Sequence, residues 1–405
     1  MKKVLILSTD YYPGDVGGAE AAIGEITDRI SKDDIEFHMV VMRYDSNHKD
    51  VEQLGNILVH RIGFGRPNPT MEERRKFPLH YNKHLFQFTA AFKAVSLHRK
   101  YKYDAIWAMM AHGTGVPAAI FKLYNPKVPY ILTLQEGDPP EHIEKVMRPL
   151  WILFKRAFTT ADIIQSISSF LSNWAVKMGY KGDIELIHNG ANPDSINPSY
   201  GEEEIVQLKK ELGKKPDDIF LTNTARLVKQ KGFDTTIKAL PKLDKNIRLL
   251  IVGGGPEDEY LKTLVKELKL GDRVIFTGQV PRTEVSKYRS ISDIFVGPSR
   301  SEGLGNAFLS AMALHLPVIA TQEGGIAEFL FDKDRNPDKG TTGFAVDKES
   351  PEQIVAQVKY ILTHRDEVKE ITKRARKMVE EKYNWDAVAL DMQEKVFSKA
   401  FNLNK

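Results

Sequence analysis

Short apolar runs separated by longer amphipathic or polar stretches recur along the whole chain, and that alternation predicts parallel β/α layers. In the first half the runs are KVLILS, FHMVVM, ILVHRI, DAIWAM, PYILTL and DIIQSI; in the second they are DIFLTNTA, IRLLIVG, RVIFTG, DIFVGPS and PVIAT. No fixed period links them, which excludes a solenoid. The pattern predicts two doubly wound α/β domains. The boundary is expected in HNGANPDSINPSYGEEE, His188 to Glu204, where Asn, Pro, Gly and Ser cluster ahead of a new helix. With the hinge near Pro198 the domains are residues 1–197 and 198–382. An amphipathic helix over 383–405, capped by Asn384, is expected to pack back on the first domain.

Length and composition agree with that division. A chain of 405 residues exceeds what one ordinary core covers. With 42 % hydrophobic and 28 % charged residues it has the composition of a soluble globular protein. The absence of cysteine excludes disulfides, thiolate catalysis and cysteine-ligated metals, and it fits a reducing, cytoplasmic setting. The opening MKKVLILSTDYYPG has an apolar run of only about five residues, too short for a signal peptide, and reads as a buried strand. No run approaches the roughly 18–20 residues of a membrane helix. The net charge of +4 is too small to imply nucleic-acid binding, but it is uneven. From Arg61 to Lys102 ten Lys/Arg stand against two Glu, a local +8. A solvated helix face, peripheral docking on an anionic membrane at its inner face, and an anionic acceptor are three readings of that patch.

In open α/β sheets ligands bind beyond the carboxyl ends of the strands, so motifs that follow strands carry the candidate chemistry. Gly17 and Gly18, in YYPGDVGGAEAAIGEI, open a helix and would let backbone N–H groups approach a ligand, or simply make a tight turn. Arg226 and Lys231, in TARLVKQKGFD, suit a diphosphate, although ordinary surface charge accounts for them equally. The three glycines of IVGGGPED read as helix-start grammar. His112 in AMMAHGTG follows a strand, where it could face a ligand or be a structural histidine. The acidic Asp332 to Asp334 reads as a surface loop and not a metal site. In PSRSEGLGNAFLSAMALHLPVIATQEGG, Glu302 precedes a Gly-Leu-Gly turn at a helix start, where unpaired N–H groups and the helix dipole favour a ligand.

Taken together, the Gly-Gly turn, HNGAN, ARLVKQKG, LLIVGGGPE, VIFTGQVP, the long SEGLGNAF segment and the closing Trp-Asp helix resemble the retaining nucleotide-sugar glycosyltransferases of family 4. The resemblance implies the GT-B fold, two Rossmann-like domains facing across a cleft, with the acceptor on the first and the sugar nucleotide on the second. It implies that Arg226 and Lys231 hold the diphosphate, that Glu302 contacts the donor sugar, and that the backbone of Gly303, Leu304, Gly305 and Asn306 meets sugar and phosphate. It places Gly17 and Gly18 in the loop over the reaction centre and the base near Val280 of the TGQVP loop. Catalysis without a metal ion, cytoplasmic location, and a glycan, glycolipid or other small acceptor follow from the same resemblance.

Three positions depart from the family pattern. Gln135, in TLQEGDPPE, stands where many relatives have histidine, leaving Asp138 and His112 as acid/base candidates. Ala225 replaces a glycine. Ser310 replaces the second glutamate of the E-x7-E motif, and its short, uncharged side chain is expected to read the ribose differently or only to bond back to the carbonyl four residues earlier. Ser310 and Gln135 support a rival reading, a sugar-nucleotide-binding protein without turnover; an epimerase on the same fold is a further alternative.

Overall fold

The computed structural model describes residues 1–13, 17–70 and 72–403, and these form two compact units, Met1–His188 with Trp385 onward and Asn189–Asn384. In the first unit β1 (Lys2–Leu7), β2 (Ile35–Met42), β3 (Val51–Leu54), β4 (Ile57–Ile62), β5 (Ala105–Met109), β6 (Tyr130–Leu134), β7 (Ile163–Ser166) and β8 (Ile184–Leu186) form one sheet. Their order is β3-β4-β2-β1-β5-β6-β7-β8, parallel except for β3 against β4. β1, β5 and β6 are buried along almost their whole length, which is why they read as continuous apolar runs. A chain of buried polar side chains crosses the sheet: Trp107 Nε1 donates to Thr133 Oγ1, Thr133 Oγ1 to Gln165 Oε1 and Gln165 Nε2 to Ile187 O, each at 2.8 Å.

The second unit has six parallel strands, β9 (Ile219–Thr224), β10 (Ile247–Val252), β11 (Val274–Phe276), β12 (Ile294–Gly297), β13 (Val318–Ala320) and β14 (Phe344–Ala345), in the order β11-β10-β9-β12-β13-β14. The reversal of direction between β9 and β12 is the switch point at which open α/β sheets bind ligands. A groove of about 1010 Å³ lined by Lys214, Asp218, Asp293 and His315 lies at the opposite, amino-terminal end of this sheet, where Ile219 and Ile294 begin their strands.

The domain boundary differs from the sequence expectation of 197/198 and falls at His188/Asn189. The reason is hydrogen bonding. The segment after His188 is fixed to the second unit by Ala191 N–H to Tyr383 O (2.8 Å), Ser195 to Ser286 (2.8 Å between hydroxyls) and Arg376 to Ile196 O (3.2 Å). The chain returns to the first unit at Trp385, two residues later than expected. From there Trp385–Asp391, Met392–Phe397 and Ser398–Asn402 are helical, and Trp385, Val388, Met392, Val396, Phe397 and Ala400 join the core formed by Val4, Phe37 and Trp107.

Candidate functional site

In the second unit the loops after β9, β12 and β13 carry the candidate residues. Arg300, which the sequence reading passed over, ties two of them together. Its N–H donates to Gln230 O and its Nη1 to Lys229 O, both at 2.6 Å, and its guanidinium holds the Asp234 carboxylate through two contacts of 3.0 Å. Burial pushes the Asp234 carboxyl up, but Arg300 and Lys238 outweigh it and hold that group below its ordinary range.

On this frame Lys231 Nζ lies 2.6 Å from Glu302 Oε1, which also accepts the Ser299 hydroxyl at 3.0 Å. Glu302 is buried, so two residues assigned from sequence to different parts of a donor neutralise each other. Arg226 is exposed, and among the described residues its guanidinium makes no ion pair or hydrogen bond. Gly305 has φ of 102° and begins the helix Asn306–Ala313, so Gly303, Leu304 and Asn306 lie in a turn that a Cβ at 305 would strain. The loop is pressed from behind by Gly324, where a Cβ would stand 1.9 Å from Glu302 O.

Ser310 takes the second of its two expected roles, the bond back within its helix, and Val280 is half-buried. Ser310 is buried; its hydroxyl donates to Asn306 O at 2.8 Å and accepts the Asn192 N–H at 2.9 Å. Its single proton is committed within the helix, so it ties that helix to the start of the second unit at Asn192 and has none left to donate to a ribose. Val280 packs, half-buried, against the cluster of Phe220, Leu250, Val252 and Ile291, which leaves only part of its surface for a base. Arg289, missed from sequence, is buried below the β9 end and donates to Thr224 Oγ1 from Nε (2.9 Å) and Nη2 (2.6 Å). Burial pushes its guanidinium down to about 9, with Tyr200 opposing and nearby Arg282 adding to the shift; it remains a cation at neutral pH.

In the first unit Gly17 caps the helix Gly18–Thr27, and its N–H donates to Glu20 Oε2 at 2.9 Å, so an internal acid already meets that helix terminus. Gly14 to Val16 of the same loop lie outside the described residues. His112 and Asp138 follow β5 and β6. Between them stands Glu136, fully buried, whose carboxylate accepts the backbone N–H groups of Ala111 and Gln135. His112 Nδ1 is buried without a hydrogen-bond partner and lies 3.7 Å from Glu136 Oε1. Burial pushes the imidazole down, but Glu136 and then Asp138 raise it more, against Lys83, so His112 holds its proton above its ordinary range. Gln135 is also buried at this strand end and is not the only polar group there. The signal for Glu136 was an acid directly after a buried strand.

The raised imidazole has a sign that can be tested. A raised folded value means that the His112–Glu136 interaction stabilises the fold fully below the unfolded histidine's ordinary 6.5 and is lost as pH rises through the folded value. Glu136→Gln is expected to lower the midpoint of the His112 ring signal in an NMR titration. An unchanged midpoint would assign the shift to Asp138 instead. Among the described residues no three His, Asp or Glu side chains gather in a metal-binding group, and no helix is long and apolar enough to cross a membrane.

Two parallel α/β units, each with its candidate residues in loops at the carboxyl ends of its strands, have the GT-B class of architecture. The chain superposes on sucrose-phosphate synthase from Thermosynechococcus elongatus with a TM-score of 0.81 at 21 % identity, over 99 % of this chain and 100 % of that one. It superposes on the HepE protein of Anabaena in complex with UDP and glucose with a TM-score of 0.77 at 20 % identity, over 98 % and 100 %. The family model described as Glycosyltransferase Family 4 matches residues 16–195, and that described as Glycosyl transferases group 1 matches residues 205–378. The chain belongs to family 4 of the glycosyltransferases. Among curated proteins it is 30 % identical over 248 residues to the GDP-mannose-dependent alpha-(1-6)-phosphatidylinositol monomannoside mannosyltransferase of Mycobacterium tuberculosis. That alignment covers 58 % of this chain and spans 62 % of the relative's length.

Proposed function

We propose that this chain transfers a sugar from a nucleoside-diphosphate sugar to a glycan or glycolipid acceptor of the cell envelope, with retention of anomeric configuration and without a metal ion. The observation that carries the reading is the exposed Arg226, which makes no ion pair among the described residues and shares the loop after β9 with Lys231, itself paired with Glu302, at the switch point of the second sheet. A donor diphosphate would engage Arg226 and draw Lys231 from Glu302. The freed carboxylate would then face the sugar as positive charge develops on its ring, while the two cations and the amino-terminal end of the helix Asn306–Ala313 stabilise the departing diphosphate. In the first unit His112, with Nδ1 3.7 Å from the Glu136 carboxylate, is the candidate base for an acceptor hydroxyl where Gln135 cannot serve. The names of relatives support the two substrate classes: the mycobacterial protein is named for mannosyl transfer to a phosphatidylinositol monomannoside, an acceptor, and HepE is described with UDP and glucose, the parts of a donor.

Incubation with UDP-, GDP- and ADP-sugars, with the released diphosphate quantified and the product anomer read by NMR, tests this. Release of diphosphate with retained configuration, unaffected by chelator, is expected. Inverted product would remove the retaining assignment. Binding of a donor without any release would favour the sensor reading, for which Gln135 and the committed hydroxyl of Ser310 speak.

A further inference from the structure

The helix Tyr81–Tyr101 is apolar on two sides. One side, including Phe86, Ala90, Ala94 and Leu97, is buried. On the other Tyr81, Leu85, Phe88 and Phe92 follow one another at helical spacing and are 45, 44, 41 and 57 % exposed. The line is extended at both ends by ring contacts: Phe77, 72 % exposed, lies 6.2 Å from the Tyr81 ring, and Tyr124, 61 % exposed, lies 6.4 Å from Phe92. A surface helix needs one apolar face, and this one has a second that nothing among the described residues covers.

Its charge says what would cover it. From Arg74 to Tyr103 the chain has eight Lys/Arg and no Asp or Glu. Arg99 continues the line of the four apolar residues along the helix, and Lys83 and Lys100 are exposed on the same element. A second copy docking face to face by two-fold symmetry would set these cations against their own equivalents. An anionic bilayer suits both parts of the pattern, since aromatic side chains favour the headgroup region and Lys and Arg are drawn to lipid phosphates. We infer that this face docks on an anionic lipid surface, with Phe77, Tyr81, Leu85, Phe88, Phe92 and Tyr124 entering the headgroup layer and the flanking cations meeting the phosphates. The inference goes beyond the transfer reaction and stands without it.

The test is flotation of the full chain with vesicles of phosphatidylcholine alone and of equal parts phosphatidylcholine and phosphatidylglycerol. The chain should float with the anionic vesicles at low salt, weakly with the neutral ones, and less with the anionic ones as salt rises and screening shortens. Phe88→Ser with Phe92→Ser, both on the exposed side, should lower partitioning on the order of tenfold while leaving the circular dichroism spectrum and donor hydrolysis unchanged. Absence of flotation at low salt, or equal flotation of wild type and double variant, would overturn the proposal. So would a dimer in sedimentation velocity that the same two substitutions abolish, because the occupant would then be a second copy. Donor hydrolysis is read separately, so failure to float leaves the catalytic assignment intact.

Discussion

Replacing Arg226 and Lys231 together by alanine is expected to reduce kcat/KM for the preferred donor by about two to four decades, the loss of two charge-assisted contacts of roughly 1.5–3 kcal/mol each. The single variants should separate cleanly because the two side chains have different surroundings. Arg226 is exposed and has no ion pair among the described residues, so Arg226→Ala should weaken donor binding while the melting temperature stays within experimental scatter. Lys231→Ala leaves the buried Glu302 carboxylate with the Ser299 hydroxyl, and it should lower stability by roughly 1–3 kcal/mol as well as activity, the partial exposure of Lys231 keeping the loss below that of a fully buried pair. Steady-state kinetics beside thermal unfolding read both effects. Near-normal turnover of the double variant would dismiss the diphosphate assignment.

Phe397→Ala is expected to destabilise the first unit by about 3–5 kcal/mol, the usual loss for emptying a buried aromatic site. Phe397 is fully buried, with its ring centroid 5.7 Å from that of Phe37 and 5.3 Å from that of Trp107. No polar group is created by the change, so the cavity and the lost contacts account for the whole effect. Hydrogen exchange gives the discriminating measurement: amides of β1, β2 and β5 should lose protection while those of β9 and β10 keep theirs. Uniform protection across all five strands would show that the closing helices add little to that core. Polar links at the surface, Arg29 to Asp386 at 2.7 Å and Lys399 to Glu185 at 3.0 Å, are too exposed to compensate.

Ten of the eleven apolar runs quoted from the sequence fall in strands interior to the two sheets, where burial on both faces makes a strand apolar, and the eleventh, RVIFTG, falls in the half-buried edge strand β11. The strands that were not visible, β3, β8 and β14, have four, three and two residues and all lie at sheet edges, where burial is partial or the run too short to show a period. The domain boundary was misplaced because turn-forming residues mark irregular backbone, whereas the division depends on which unit supplies the hydrogen-bond partners. In the site, motif order located Arg226, Lys231 and Glu302 in neighbouring loops, but nothing in their spacing says that Lys231 and Glu302 pair with each other. Glu136 and Arg300 were missed for the same reason. Each acts through a partner distant in sequence, on backbone or side chains that only the folded chain brings near.

The return of the chain at Trp385 also affects the order of events on the ribosome. Vectorial synthesis ordinarily lets the leading domain fold first. Here the leading segment, Met1–His188, lacks Trp385, Met392 and Phe397 from its core until the whole of Asn189–Asn384 has been made. The segment Asn189–Asn384 is continuous and holds its own core, so it can close as soon as it emerges. The unit that is made first is completed last, and in the interval its unfilled apolar surface around Phe37 and Trp107 is the part of the nascent chain most in need of a chaperone.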